Sequence, residues 1–268
     1  MKKKNKVWIY SLIAMGLIVI LLNNCKKDDP STKKIPVITW ANPVDIVYGT
    51  SLSATQLNAT VDVGGIFVYT PATGTKLDVG ANQVLKVAFT PTNTGAYDTI
   101  SKSVKINVLT IGDNYQGGKI AYILQAGDPG YSAGETHGLI AAPGDQSTGI
   151  QWYNGTYIAT GATATALGAG SGNTNTIVAS QGAGNYAAKL CADLDLGGYT
   201  DWYLPSSDEL NKLYINKVAV GGFANYFYWS SSDYGFDVYG AWAQHFSDGA
   251  QGGYDKNGPY HVRAVRTF

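Results

Sequence analysis

The side chains best suited to catalysis crowd into Gly-Gly-Tyr-Thr-Asp-Trp-Tyr-Leu-Pro-Ser-Ser-Asp-Glu-Leu, residues 197–210. Asp201, Asp208 and Glu209 flank Trp202 and Tyr203 in a chain with only two glutamates. Two carboxylates at a set separation, one with a raised pKa, would suit glycoside hydrolysis. The spacing also has a structural reading. Ser206 followed three residues later by Glu209 is a capping box for a helix over 206–216, with Pro205 ending the preceding segment. Asp208 favours the positive end of that helix, and Asp201 sits in a turn where aspartates bond nearby backbone N–H groups. Structural employment is the stronger expectation for all three acids. Glu135 and His137 form a second acid–base candidate, although a polar turn before the strand-like His-Gly-Leu-Ile-Ala-Ala accounts for them equally well.

Other chemistry finds less support. His137, His245 and His261 lack metal-ligand spacing and a cysteine partner, which argues against zinc. Asp248, Asp255 and Asn257, in Ser-Asp-Gly-Ala-Gln-Gly-Gly-Tyr-Asp-Lys-Asn-Gly-Pro-Tyr (247–260), offer oxygen ligands suited to calcium. They lack the EF-hand register, so a hairpin loop with Asp-Gly and Asn-Gly turns is preferred. No cofactor is expected, and calcium is only a weak option. Ser230, Ser231 and Ser232 stand outside any G-x-S-x-G elbow. Phosphate-cradling glycine loops are absent too. Cys191 shares an apolar helical face with Ala187, Leu190 and Leu194 near 183–195, so it is expected to be a buried hydrophobe.

The elements that would hold these residues fall into successive segments. Met-Lys-Lys-Lys-Asn-Lys precedes an apolar run over 7–22, a signal-peptide pattern shorter than a spanning helix. Leu22 three places before Cys25 looks like a bacterial lipobox, although Asn23 and Asn24 depart from its usual small residues. Residues 1–24 are therefore expected to be a signal peptide, with Cys25 the lipid-modified start of the mature protein. The Lys-Lys-Asp-Asp that follows resembles a surface-export signal, which implies a bacterial outer-membrane lipoprotein held in the membrane through Cys25. Residues 25–35 form a charged linker. Over 36–109, short β-branched and aromatic runs alternate with turn clusters, predicting an all-β sandwich. Within it, Leu85, Val87 and Phe89 should face a core while Val84, Lys86 and Ala88 face away.

Residues 112–268 hold 15 of the 19 tyrosines and four of the six tryptophans, with seven basic residues against thirteen acids, a net charge of −6. That balance excludes a nucleic-acid footprint. Two helical patterns among strands and glycine-rich loops predict an α+β domain with long loops. Residues 159–184, rich in glycine and threonine, are predicted to be an ordered loop. The aromatic load of 224–246 suits sugar rings, with Tyr234, Phe236 and Tyr239 expected on a loop.

Two family resemblances follow. The Trp-x-x-Pro, Ile-x-Tyr-Gly and Phe-x-Tyr-x-Pro elements of 36–109 resemble a bacterial immunoglobulin-like repeat, which implies a stalk. The Gly-Tyr-x-Asp-Trp-x-Leu-Pro-x-x-x-Glu-Leu core, the Tyr-Trp-Ser-Ser step and the Val-Arg-x-Val-Arg ending of 112–268 resemble the Lcl C-terminal domain family, related to FISUMP-type domains. This implies a C-type-lectin-like fold in which the Trp-Ser-Ser, Ala-Trp and terminal Val-Arg strands share a sheet. The adhesin that names the family binds sulfated glycosaminoglycans, a ligand poorly matched to a net charge of −6. A lone Cys191 argues against the activity of similarly folded sulfatase-activating enzymes. The combined expectation is a non-enzymatic adhesion lipoprotein that binds an extracellular glycan or surface protein. Its ligand-binding candidates are Trp152, Tyr234, Tyr239, Asp248, Tyr254, Asp255 and Asn257. The alternatives are an extracellular polysaccharide-acting enzyme using Glu135 or Glu209 with an aspartate, and a purely structural envelope protein.

Overall fold

The computed structural model describes residues 32–235 and 237–268. The expected signal peptide, Cys25 and most of the charged linker lie outside the described residues, as does Phe236. The described chain is mostly β-sheet with few helices. Lys34, assigned above to the linker, bridges instead to Tyr97.

The first part contains β1 (Ile38–Thr39), β2 (Ile46–Val47), β3 (Thr60–Val61), β4 (Gly65–Thr70), β5 (Gly80–Pro91) and β6 (Ile100–Leu109). Four of these form a sheet in the order β2-β6-β5-β4, while β1 and β3 pair as a separate ribbon. The predicted alternation on β5 holds. Leu85, Val87 and Phe89 are buried, and with Trp40, Leu52 and Ile106 they build the core of this part.

The second part opens with β7 (Asn114–Tyr115), β8 (Gly118–Ile123), β9 (Gly138–Ala141) and β10 (Ser147–Ile150). Four helices follow: α1 (Gly170–Gln181), α2 (Ala187–Ala192), α3 (Ser207–Ile215) and α4 (Lys217–Val220). It closes with β11 (Phe227–Asp233), β12 (Gly240–His245), β13 (Gln251–Asp255), β14 (Tyr260–Val262) and β15 (Val265–Thr267). These strands make two sheets, β15-β9-β8-β7 and β10-β14-β11-β12-β13.

Helix α3 starts where the capping box places it. Ser206 Oγ accepts from Glu209 N at 3.3 Å, and Glu209 Oε2 accepts from Ser206 N at 2.8 Å. Near 183–195 the helix is shorter than the pattern suggests, only α2, with Cys191 fully buried against Trp152 and Ile177 in one core cluster. Burial pushes its thiol pKa up, as expected of an inert packing residue.

Three expectations are corrected. The segment 159–184 is not all loop, because α1 occupies Gly170–Gln181. Its glycines and threonines are poor helix formers, and tertiary contacts override them. A Cβ at Gly170 would collide with Glu209 and Tyr203, so only glycine admits this close approach. Thr174 Oγ1 also donates to Leu204 O and accepts from Leu204 N, while Ile177 fills the core. Second, 247–260 is not one hairpin loop but a turn, strand β13 and a second turn. The glycines of β13 admit a neighbouring ring, since a Cβ at Gly253 would lie 2.5 Å from the Tyr234 ring. Third, Val-Arg-Ala-Val-Arg is not one strand. Val262 ends β14 and Val265 begins β15 in the other sheet, with Arg263 buried at the crossing.

Candidate functional site

Strand β11 reads Phe-Tyr-Trp-Ser-Ser-Ser-Asp, and alternation sends its aromatics to opposite faces. Tyr228 packs on Phe246 with the cluster around α3. On the other face, Phe227 stands opposite His245 and Trp229 opposite Ala243. Strand β13 adds Tyr254 opposite Ala241 and Gly252 opposite Ala243. Parallel pairing of Tyr228 with His261 brings Tyr260 to the same face. Ala241, Ala243 and Gly252 are small, so the rings around them stand above a shallow floor.

Those rings form a connected stripe. Phe227 lies 4.4 Å from His245, 4.7 Å from Tyr254 and 5.0 Å from Tyr260, centroid to centroid. Tyr260 rests on Trp229 at 4.5 Å, and Tyr226 flanks it at 6.3 Å. Trp229 is buried, Phe227, His245, Tyr254 and Tyr260 are half-buried, and Tyr226 is 44% exposed. The stripe thus has a packed base and an open upper surface.

Polar groups border both ends. His245 Nδ1 lies 3.1 Å from Asp248 Oδ1 and 2.9 Å from Ser247 Oγ, which fixes the ring beside Phe227. The Ala250 N–H, then His245, hold the Asp248 carboxyl below the usual carboxylate range. At the far end Tyr157 donates its hydroxyl to Asp255 Oδ1 at 2.7 Å, stacks on Tyr153 at 4.6 Å and meets Tyr239 edge-on at 5.1 Å. The Tyr157 hydroxyl, followed by the Asn257 N–H, lowers the Asp255 pKa.

Two buried charge networks hold this face in place. Lys256 Nζ lies 2.9 Å from Asp233 Oδ1 and donates to Ile158 O and Val238 O, at 3.2 and 3.0 Å. It therefore ties down the loops carrying Tyr157 and Tyr239. Asp233 also accepts from Thr160 N and Thr160 Oγ1. Behind β14, Asp145 accepts from Tyr228 Oη at 2.8 Å and Arg263 Nε at 2.7 Å, and its Oδ2 lies 2.7 Å from His261 Nδ1. Arg263 continues to the carbonyls of Ala142 and Gly222 and lies over the Phe223 ring.

Residues 143–266 match the model of the Lcl C-terminal domain family. This part of the chain is an Lcl C-terminal domain. The matched span begins after β9, whose strand pairs with β15 of the Lcl domain, so the sheet runs across that boundary. No curated protein matches the chain.

The Lcl domain gathers part of the expected binding set. Tyr254 lies in the stripe, Asp248 fixes its histidine, and Asp255 holds Tyr157. Tyr239 is 57% exposed beside that tyrosine, and Asn257 follows in the exposed turn. Trp152 does not belong. It is fully buried, donates Nε1–H to Ser230 O at 2.8 Å and carries Lys256 over its ring, because Trp152 N is bonded to Lys256 O and draws the indole inward. Tyr234 covers Trp242 and Gly253 on the opposite face from Tyr254, so it stands apart from the stripe. Asp248 lies in the turn before β13 and Asp255 at its far end, so they do not converge as a calcium site. Among the described residues no group of three His, Cys, Asp or Glu could hold a metal.

Sequence reasoning missed Phe227, His245, Tyr260, Tyr226 and Tyr157. The alternation in Tyr-Phe-Tyr-Trp was a usable signal for Phe227, but the parallel β11–β14 pairing that brings in Tyr260 has none.

The catalytic candidates are occupied elsewhere. Glu209 is fully buried, accepting from Ser206 N, Gly168 N and Tyr203 Oη. Burial raises its pKa against those hydrogen bonds. Asp201 does not close a local turn. It forms a two-pronged pair with Arg266, Nε to Oδ1 at 2.8 Å and Nη2 to Oδ2 at 2.9 Å, because β15 brings that arginine to the turn. Glu135 lies 3.1 Å from His137 at the surface, its pKa lowered chiefly by that histidine, the wrong direction for a general acid. His137 borders a cavity of about 600 Å³ lined by Leu124, Pro129, Leu139, Leu167 and Phe268, and no second carboxylate side chain joins it there.

Proposed function

We propose that this protein is a non-enzymatic bacterial surface lipoprotein, anchored to the outer membrane through acylated Cys25, whose Lcl domain binds extracellular glycan. In this reading residues 36–109 are an immunoglobulin-like stalk and 112–268 a C-type-lectin-like domain. The single observation that carries the binding role is the open stripe of Phe227, Tyr254, Tyr260 and Tyr226. Aromatic faces pack against the apolar C–H surfaces of sugars, while His245 and the bordering aspartates suit hydroxyls. Glu209, turned back onto its own helix, supports a non-catalytic reading over the polysaccharide-acting enzyme.

The test is affinity electrophoresis of the full chain through polysaccharide gels. Tyr254→Ala and Tyr226→Ala should each weaken binding by about 1 kcal/mol, the scale of one ring contact, and Tyr226→Ala, at the more exposed ring, should leave the melting temperature nearly unchanged. Unchanged mobility shifts in both variants would remove the stripe as the binding face. Chelation of calcium should leave binding as it was.

A further inference from the structure

The bases of the C-terminal part are all committed. Lys119 donates to Gly112 O, Lys212 to Tyr122 Oη and Lys217 to Phe246 O. Lys189 pairs with Asp193, Lys256 with Asp233, Arg263 with Asp145 and Arg266 with Asp201. None of these seven side chains is exposed; each is buried or half-buried. The acids are distributed in the opposite way, with Asp248 and Asp255 exposed at the two ends of the stripe.

A chain of sulfated or uronic-acid sugars laid on this face would meet carboxylates and no available lysine or arginine, and the one imidazole, His245, is already engaged by Asp248. Polyanion binding depends on fork-like or clustered cations at the surface. Freeing a half-buried lysine would forfeit its present hydrogen bond or ion pair, and freeing Lys256, Arg263 or Arg266 would break a buried or bidentate pair. An uncharged pyranose chain has no such conflict. Its flat C–H faces match half-buried rings, and its hydroxyls can donate to carboxylates. Gly252, in the middle of the stripe, gives its space to the Tyr254 ring, which would lie 3.4 Å from an added Cβ.

We infer that the stripe takes a neutral polysaccharide and rejects sulfated or carboxylated chains, an inference that rests on the glycan-binding reading above. The test compares hydroxyethyl cellulose with cellulose sulfate, the same backbone without and with charge, using the full chain. The neutral polymer should bind at least about tenfold more tightly, since like charges oppose the other. That affinity should change by less than about twofold between about 0.05 M and about 0.5 M NaCl, because no ion pair forms. Tyr254→Ala and Tyr226→Ala should each cost about fivefold for the neutral polymer. Equal or tighter binding of cellulose sulfate, weakened by the same substitutions, would overturn the neutral specificity while leaving the stripe as a glycan site. Binding of neither polymer would overturn both, and so would binding of either that ignores both substitutions.

Discussion

Removing the Lys256 ammonium should destabilise the fold and loosen one end of the stripe. Lys256→Met keeps the aliphatic stem over Trp152 but leaves Asp233 buried without its cation, and Ile158 O and Val238 O without their donor. Breaking one side of a buried pair costs about 3–5 kcal/mol. Asp233 keeps the two bonds from Thr160, which places the expected loss near the lower end, about 3 kcal/mol. For a domain of this size, about 2–4 °C per kcal/mol converts that into a fall of roughly 6–12 °C in melting temperature. Adding Asp233→Asn removes the stranded charge while preserving an acceptor for Thr160. The double variant should therefore recover at least about 1 kcal/mol over Lys256→Met alone. Urea melts of the two variants and the parent chain provide the measurement. A single-variant loss below about 1 kcal/mol, or a double variant less stable than the single, would refute the argument that this pair clamps the loops.

Other outcomes follow from the same geometry. Gly170→Ala should cost about 1–3 kcal/mol in urea melts, because the added Cβ collides with Glu209 and Tyr203. Glu209→Gln and Glu209→Ala should each cost about 1–3 kcal/mol, since the glutamine NH2 would face the Ser206 or Gly168 N–H, donor against donor, and alanine leaves both unpaired. The hydrogen bond from Arg266 holds the Asp201 carboxyl below its ordinary value of 3.8. The stabilisation from that pair is present above 3.8 and is lost as pH falls through the lower folded value. The side chain of Asp201 is 54% exposed, so solvent screening limits the gain, and Asp201→Asn should cost under about 1 kcal/mol near neutral pH. A parent-minus-variant stability difference that grows on acidification would contradict the sign.

Legibility of this molecule in its sequence divides by the range of the interaction. The capping box at Ser206 and Glu209 and the alternation of Leu85, Val87 and Phe89 are local patterns, and local chemistry decides both. Helix α1 was hidden because Gly-Ser-Gly-Asn-Thr disfavours a helix by itself; contacts with Glu209 and Leu204, 30 or more residues away in the chain, hold it. The same divide runs through the site. The signal for an aromatic, cation-poor binding face was present in composition, but its membership depended on pairings across β11, β12, β13 and β14. Trp152 shows the cost of lacking that register. A tryptophan in a polar, glycine-rich context resembles a surface anchor, until its backbone bond to Lys256 turns it inward.

The stripe also explains why so many aromatics cluster in a part of the chain with few charges. Exposed single rings would need to be immobilised on binding, a cost of about 0.5–1.5 kcal/mol for each ordered side chain. Here the cost is largely met on folding. Phe227 is bracketed by His245, Tyr254 and Tyr260, His245 is tied to Asp248, and Tyr157 is tied to Asp255. Gly252 lacks a positive φ, so its glycine serves clearance for the Tyr254 ring rather than a turn. A side chain there is tolerated by the backbone but presses on the Tyr254 ring. Gly252→Val should consequently displace the Tyr254 ring and weaken glycan binding at least as much as Tyr254→Ala does. A variant that both folds and binds like the parent would mean that ligand approaches the rings from another direction.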